Sequence, residues 1–141
     1  MKFLLDSNVV SELRKIRPHG AVLAWFDSTP KEDIGIPAIV LFELQAGAEI
    51  TRRQDPVKAA ELEAWIQEIG NSFELIPMDA EIAREAARLM EGKTKALLED
   101  GIIAATARVR QLTVVTRNEK DFAHFGVQQL NRFLSNPPIK S

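Results

Sequence analysis

Short apolar runs recur along the chain and alternate with longer segments whose apolar residues have helical spacing. Runs of four to eight apolar and β-branched residues, bounded by turn residues, are typical of strands. On this basis we expect four strands and a possible fifth, at residues 2–5, 33–36, 73–76 and 112–115, and at 127–130.

Helical segments fill the intervals between these strands. Pro37 suits the first position of one helix, Asp55 and Pro56 begin the next, and Gly70 is expected to end it. The expected helices cover residues 8–16, a short stretch ending at 28, 37–53, 56–69, 80–91 and 96–111. This alternation predicts an α/β fold, a three-layer sandwich in which helices flank a mostly parallel sheet of four or five strands.

The length of the chain fits one domain. It has 141 residues, of which 45% are hydrophobic and 27% charged, and these proportions are ordinary for a globular protein. We expect a single domain over residues 1–141, with 135–141 as a frayed tail. No apolar stretch approaches the ~20 residues that cross a bilayer, so no association with a membrane is expected.

The amino-acid composition and the net charge argue against several classes of site. The sequence has no cysteine and only two histidines, which argues against disulfides and zinc sites and favours a cytoplasmic location. The formal net charge is −2, which argues against a nucleic-acid binder that depends on bulk positive charge. A nuclease stays compatible with this charge, because bound metal cations can supply positive charge locally.

Four carboxylates are expected to meet at one edge of the sheet. The carboxyl ends of parallel strands share an edge, where active groups collect. Asp6 follows the first strand directly, and Asp121 lies in the loop after the fourth. Asp100 lies near the start of the helix that leads into the fourth strand, and Glu43 lies about 9 Å above the edge, at 1.5 Å per residue of its helix.

Two of these acids interrupt apolar helix faces. Val40, Glu43 and Leu44 share one face, and Leu97, Asp100 and Ile103 share another. A buried carboxylate is unfavourable without a compensating charge, and neither stripe contains a basic residue. A hard divalent cation, Mg²⁺ or Mn²⁺, would compensate several carboxylates together and would activate water for phosphodiester hydrolysis.

Charged residues lie next to these acids in the sequence. Glu99 is one step round the helix from Asp100 and is expected to face solvent. Several cations flank the acids in sequence, namely Lys93, Lys95, Arg117 and Lys120. They either hold substrate phosphates or form an ordinary solvated surface, and the sequence leaves both readings open.

Four segments around the acids carry a family resemblance. They read FLLDSNVVSE at 3–12, IPAIVLFELQAG at 36–47, LEDGIIAATA at 98–107 and LTVVTRNEKDF at 112–122. Their order and spacing are similar to those of the PIN-domain ribonucleases, in particular the VapC-type toxins of bacterial toxin–antitoxin systems and the FitB-like branch among them. The resemblance covers nearly the whole chain and implies a PIN-like sandwich.

The resemblance also implies the site and the partners. It makes Asp6, Glu43, Asp100 and Asp121 the catalytic and metal-binding residues. Asn8, Thr116 and Asn118 support them, and either Asn118 or Asp121 completes the site. Ser7 stands where relatives usually carry threonine. The implied function is the toxin of a type II pair, an Mg²⁺- or Mn²⁺-dependent endoribonuclease that hydrolyses RNA with a metal-activated water. The implied assembly is a homodimer bound to a cognate antitoxin, or a larger toxin–antitoxin complex.

Two other functions remain open at this stage. One is a catalytically silent PIN-like module that only binds RNA or protein. The other is a phosphatase similar to the haloacid dehalogenases, with Asp6 as nucleophile, but those enzymes need an acid two residues later and this chain has Asn8. The sequence does not identify the RNA target or the antitoxin, and it does not separate one metal ion from two.

Overall fold

A parallel sheet of five strands runs through the centre of the computed structural model, which describes residues 1–133. The strand order is β3-β2-β1-β4-β5, and all four strand pairings are parallel. The strands are β1 (Phe3–Leu5), β2 (Ile34–Pro37), β3 (Glu74–Ile76), β4 (Thr113–Val115) and β5 (Gln129–Leu130). The expected α/β class and mostly parallel sheet are confirmed, whereas the proposed frayed tail at 135–141 lies outside the described residues.

Within residues 1–133, seven α-helices flank the sheet. The closest helix pairs are α3 with α4 and α5 with α6. Two short 3₁₀ segments, Lys31–Asp33 and Lys95–Leu97, precede β2 and α6. The α-helices are α1 (Ser7–Arg14), α2 (Gly20–Ser28), α3 (Ala38–Arg52), α4 (Pro56–Ser72), α5 (Ala80–Met90), α6 (Leu98–Arg110) and α7 (Glu119–Ala123).

Strand β1, which ends directly before Asp6, is the central strand of the sheet. Leu4 of β1 pairs with Gly35 on one side and with Val114 on the other, and both Leu4 and Leu5 are fully buried. A strand that is covered on both faces has an uninterrupted run of apolar residues, and such a run at the start of the sequence predicts β1. Asp6 follows it at the carboxyl edge, and its backbone N–H donates to the Val115 carbonyl oxygen.

Several expected boundaries were wrong. Helix α4 continues past Gly70 to Ser72, because glycine lowers helix propensity without preventing helical backbone. Helix α1 ends at Arg14 rather than near residue 16, and Pro37 is the last residue of β2 rather than the first of a helix. The five-residue α7 was not expected, since so short a helix has no apolar periodicity, and Phe122 anchors it by full burial.

No helix among residues 1–133 combines the length and the apolarity that a membrane crossing requires. The longest helix, α4, has 17 residues and includes charged side chains such as Lys58, Glu61 and Glu63.

Helix α6 packs against α5 through a glycine, which gives a stability prediction. A Cβ atom built on Gly101 would lie 2.5 Å from Met90 Sδ, whereas one on Gly47 of α3 would meet nothing within 4 Å. We expect Gly101→Val to lower the free energy of unfolding by about 1–3 kcal/mol through overpacking. The urea midpoint measures this change, with Gly47→Val as the matched control. Equal midpoints for the two variants would contradict the packing argument.

Candidate active site

Asp6 is the most deeply placed of the four acids, with an exposed fraction of 2%. It caps α1 and accepts a hydrogen bond from the Ser7 backbone N–H at 2.7 Å. Its second oxygen accepts from Asn8 Nδ2 at 3.0 Å and from Thr116 Oγ1 at 2.7 Å. Burial raises the pKa of Asp6, and these hydrogen bonds partly oppose that rise. Its position is therefore fixed by two neighbouring side chains and a backbone amide.

Glu43 projects from the second turn of α3 towards Asp6. Its Oε2 accepts a hydrogen bond from the Ser7 hydroxyl at 3.1 Å. Its Oε1 is buried and has no hydrogen-bond partner. Burial, then the neighbouring Glu99 carboxylate, and finally the charge of Asp6 raise the pKa of Glu43 to about 8. A buried carboxylate oxygen without a donor is unfavourable, and a cation beside it would satisfy it.

Asp100 and Asp121 bring the other two segments to the same place. Asp100 lies in the first turn of α6 and Asp121 in α7. Burial, followed by the charges of Asp6, Asp121 and Glu99 in that order, raises the pKa of Asp100 to about 7. The charge of Asp6 thus acts on both Glu43 and Asp100, and Asp121 acts on Asp100, so electrostatic interactions connect the four acids that the sequence indicated.

The supporting residues form a chain of hydrogen bonds at the end of β4. Thr116 is fully buried; besides donating to Asp6, its Oγ1 accepts from the Asn118 backbone N–H at 2.9 Å. Asn8 donates to Asp6 and accepts from the Arg117 backbone N–H at 3.1 Å. Asn8 thus supports Asp6 at the position where the phosphatase alternative would need a second acid.

The two candidates for the last ligand differ in their contacts. Asp121 is close enough to hydrogen-bond with Asp100 and to raise its pKa. Asn118 contacts the site through its backbone, and none of the hydrogen bonds found within residues 1–133 involves its side chain. This geometry favours Asp121 as the fourth acid of the cluster.

Sequence reasoning missed two participants. Ser7 links two acids, since its N–H donates to Asp6 and its hydroxyl donates to Glu43. Glu99 is exposed, as expected, yet its carboxylate lies beside that of Glu43 and raises the pKa of that group. The adjacency of Ser7 to Asp6 and of Glu99 to Asp100 was the available signal, but both contacts depend on where α3 lies.

The donor set fits a hard divalent cation. Every acidic group in the cluster is a carboxylate, and oxygen ligands are those that Mg²⁺ and Mn²⁺ prefer. Burial and, after it, repulsion from neighbouring carboxylates raise the pKa of Asp100 and Glu43, and a cation would relieve this repulsion. Within the described part of the chain, no group of three or more such side chains is already arranged around one point. Hydrogen bonds from Ser7, Asn8 and Thr116 hold two of the four acids, Asp6 and Glu43, in their present positions.

Known proteins resemble this chain over most of its length. The PIN domain family model matches residues 3–127. The VapC ribonuclease Y4jK of Sinorhizobium fredii is 34% identical over 139 residues, which cover 91% of this chain and 95% of that protein. Toxin FitB of Neisseria gonorrhoeae is 35% identical over 126 residues, which cover 84% of this chain and 89% of that protein.

Solved structures show the same fold. The crystal structure of FitAcB from Neisseria gonorrhoeae superposes with a TM-score of 0.79 at 32% identity, covering 94% of this chain and 99% of that chain. A toxin–antitoxin complex from Klebsiella pneumoniae superposes with a TM-score of 0.71 at 26% identity, covering 93% and 98%. Ribonucleases of the VapC type are metal-dependent in general. From the family model, the relatives and the shared fold together, this chain belongs to the PIN-domain family, in the branch that includes the VapC ribonucleases and the toxin FitB.

Proposed function

We propose that this protein is the toxin of a type II toxin–antitoxin pair and that it acts as an endoribonuclease dependent on Mg²⁺ or Mn²⁺. The observation that carries the proposal is the meeting of Asp6, Glu43, Asp100 and Asp121 at one sheet edge, where Glu43 keeps a buried oxygen without a donor. Relatives named as a VapC ribonuclease and a toxin support both the activity and the biological role.

The four acids would hold the cation, and their neighbours would hold the acids. A bound Mg²⁺ or Mn²⁺ supplies an activated water, polarises a phosphoryl oxygen and stabilises the leaving oxygen. Ser7 sets the spacing between Asp6 and Glu43, because it donates to both. Thr116 ties Asp6 to the end of β4. No side chain of the cluster is a covalent nucleophile in this scheme, and the expected products carry 5′-phosphate and 3′-hydroxyl ends.

The relatives also support a proposal for the partners of this protein. An RNA substrate, a cognate antitoxin that blocks the site and a homodimer or larger assembly are proposed from the relatives, which include a toxin–antitoxin complex. A location in the cytoplasm is proposed from the absence of cysteine, and it would give the enzyme access to RNA.

RNA cleavage by the purified protein tests the proposal. The antitoxin is removed, folding is verified by circular dichroism, and mixed cellular RNA is incubated with Mg²⁺, with Mn²⁺ or with EDTA. We expect cleavage with either metal and at least a hundredfold less with EDTA, because a metal ion contributes several kcal/mol to this chemistry. A folded protein that cleaves no RNA with either metal would instead favour the silent binding module.

A further inference from the structure

A cavity beside the acid cluster includes Asp121 in its lining. It has a volume of about 450 Å³, within the range of sites that hold small molecules. Its lining combines two cations, two amides and an aromatic ring with two acids: Arg117, Lys120, Asn118, Asn131, Phe133, Glu119 and Asp121. Because Asp121 belongs both to this lining and to the acid cluster, the cavity lies next to the proposed site of cleavage.

Arg117 is held in a defined position at this cavity. Its backbone N–H donates to Asn8 Oδ1 at 3.1 Å, and Asn8 in turn donates to Asp6. Its guanidinium lies 4.8 Å from the centre of the Phe133 ring, a favourable cation–π distance. The Phe133 ring also lies 5.3 Å from the His19 ring, measured between ring centres. Phe133 is therefore a support for Arg117 rather than an open platform for a base.

The cations of the cavity keep their charge available. Among the salt bridges within residues 1–133, none involves Arg117 or Lys120, although Glu119 and Asp121 are neighbours in the chain. Arginine and lysine are the usual contacts to nucleic-acid phosphates, and they position a strand without reading its bases. The amides of Asn118 and Asn131 add groups that can donate to and accept from a nucleotide.

We propose that this cavity is the subsite for the RNA nucleotide adjacent to the phosphodiester that is cut, with Arg117 and Lys120 holding its phosphate. The inference rests on the proposed function, and it assigns the direction in which the single strand leaves the acid cluster, past α7. Phe133 is a positioning residue, which acts by holding the guanidinium of Arg117.

Binding without cleavage separates this proposal from the proposed function. A single-stranded oligoribonucleotide of mixed sequence, labelled with fluorescein, is titrated with the full-length protein in EDTA, and anisotropy is read over a range of KCl concentrations. We expect Arg117→Gln and Lys120→Gln each to weaken binding roughly fivefold to tenfold at low salt. Each should also reduce the slope of log K against log salt by about 0.7, as expected for one lost phosphate contact on a single strand.

Two further variants provide the controls. Lys58→Gln removes the same charge from the exposed first turn of α4, and it should change neither affinity nor slope. Phe133→Leu keeps every charge, so it should weaken binding about twofold to threefold with the salt slope unchanged.

Either of two results would contradict the proposed subsite. Wild-type affinity and slope in both Arg117→Gln and Lys120→Gln would overturn it, and so would a folded wild-type protein that binds no single-stranded RNA at low salt. If the two variants lose binding but the wild type cleaves nothing with metal, the subsite stands and the nuclease proposal fails. If the wild type cleaves RNA with metal but Arg117→Gln and Lys120→Gln both bind RNA like the wild type, the nuclease proposal stands and the subsite fails.

Discussion

Replacing Asp6 with asparagine is expected to reduce RNA cleavage by about a thousandfold, which corresponds to roughly 4 kcal/mol of transition-state stabilisation. Asp6 is the hub of the site, since it accepts hydrogen bonds from Ser7, Asn8 and Thr116 and its charge raises the pKa of both Glu43 and Asp100. Asparagine keeps an oxygen in the same place but removes the negative charge that a divalent cation needs.

The fold should survive this change. Asparagine caps a helix about as well as aspartate, so α1 keeps its start. The initial rate of RNA cleavage with saturating Mg²⁺ measures the effect, and circular dichroism verifies folding. Asp27→Asn on the exposed surface of α2 makes the same substitution away from the site and should leave the rate unchanged. A folded Asp6→Asn protein with the wild-type rate would remove Asp6 from the metal site.

The second large effect is expected from Glu43→Gln. This substitution should lower the cleavage activity and raise the stability of the metal-free protein. Cleavage should fall by about a hundredfold, because a metal ligand loses its charge. In EDTA, however, the variant should be more stable than the wild type at alkaline pH. The cause is the pKa of Glu43, which burial and the neighbouring Glu99 raise to about 8 from the ordinary value of 4.5.

The sign of the pH dependence follows from this shift. The folded protein binds a proton on Glu43 more tightly than the unfolded chain does, so the stability linked to that proton is complete below pH 4.5 and is lost as the pH rises through about 8. Asp100 adds a similar loss as the pH rises from 3.8 through about 7. Because Glu43 is partly exposed to solvent, we expect a loss of only ~1 kcal/mol from it, or about 3–5 °C in Tm.

Thermal unfolding in EDTA between pH 5 and pH 9 tests this expectation. The wild type should lose stability over that range, Glu43→Gln should lose less, and saturating Mg²⁺ should restore the wild type only, since binding to the folded state stabilises it. Glu61→Gln on the exposed face of α4 controls for the loss of one negative charge. The explanation fails if Glu43→Gln and the wild type have parallel curves.

These two predictions share one physical cause. Carboxylates that repel one another in a partly buried cluster are unfavourable for the metal-free fold, and the same repulsion creates the demand for a cation. Ser7 and Thr116 limit the cost by donating hydrogen bonds to Glu43 and Asp6. A site of this kind is therefore expected to gain stability whenever it loses function by neutralisation of one acid.

The sequence by itself determined the class of fold and the edge of the sheet at which the acids meet. The buried strands β1 and β4 are apolar runs whose ends are visible in the sequence, and Asp6 follows one of them directly. Parallel strands place their carboxyl ends together whatever the details of packing. For Glu43 and Asp100, the sign of an unusual environment was a charge on an otherwise apolar helix face. Local pattern was sufficient for each of these inferences.

Only the tertiary structure decided how the acids are held and what lies beside them. The hydrogen bond from Thr116 to Asp6 joins residues 110 positions apart, and the one from Ser7 to Glu43 joins residues 36 apart. The unpartnered oxygen of Glu43 and the support of Arg117 by Phe133 likewise depend on how separate elements pack. Helix α7 was missed because burial of Phe122, a contact with the rest of the core, stabilises it in place of local periodicity. Side-chain contacts between distant segments are set by packing of the whole domain, and a pattern read along one chain carries no information on their geometry.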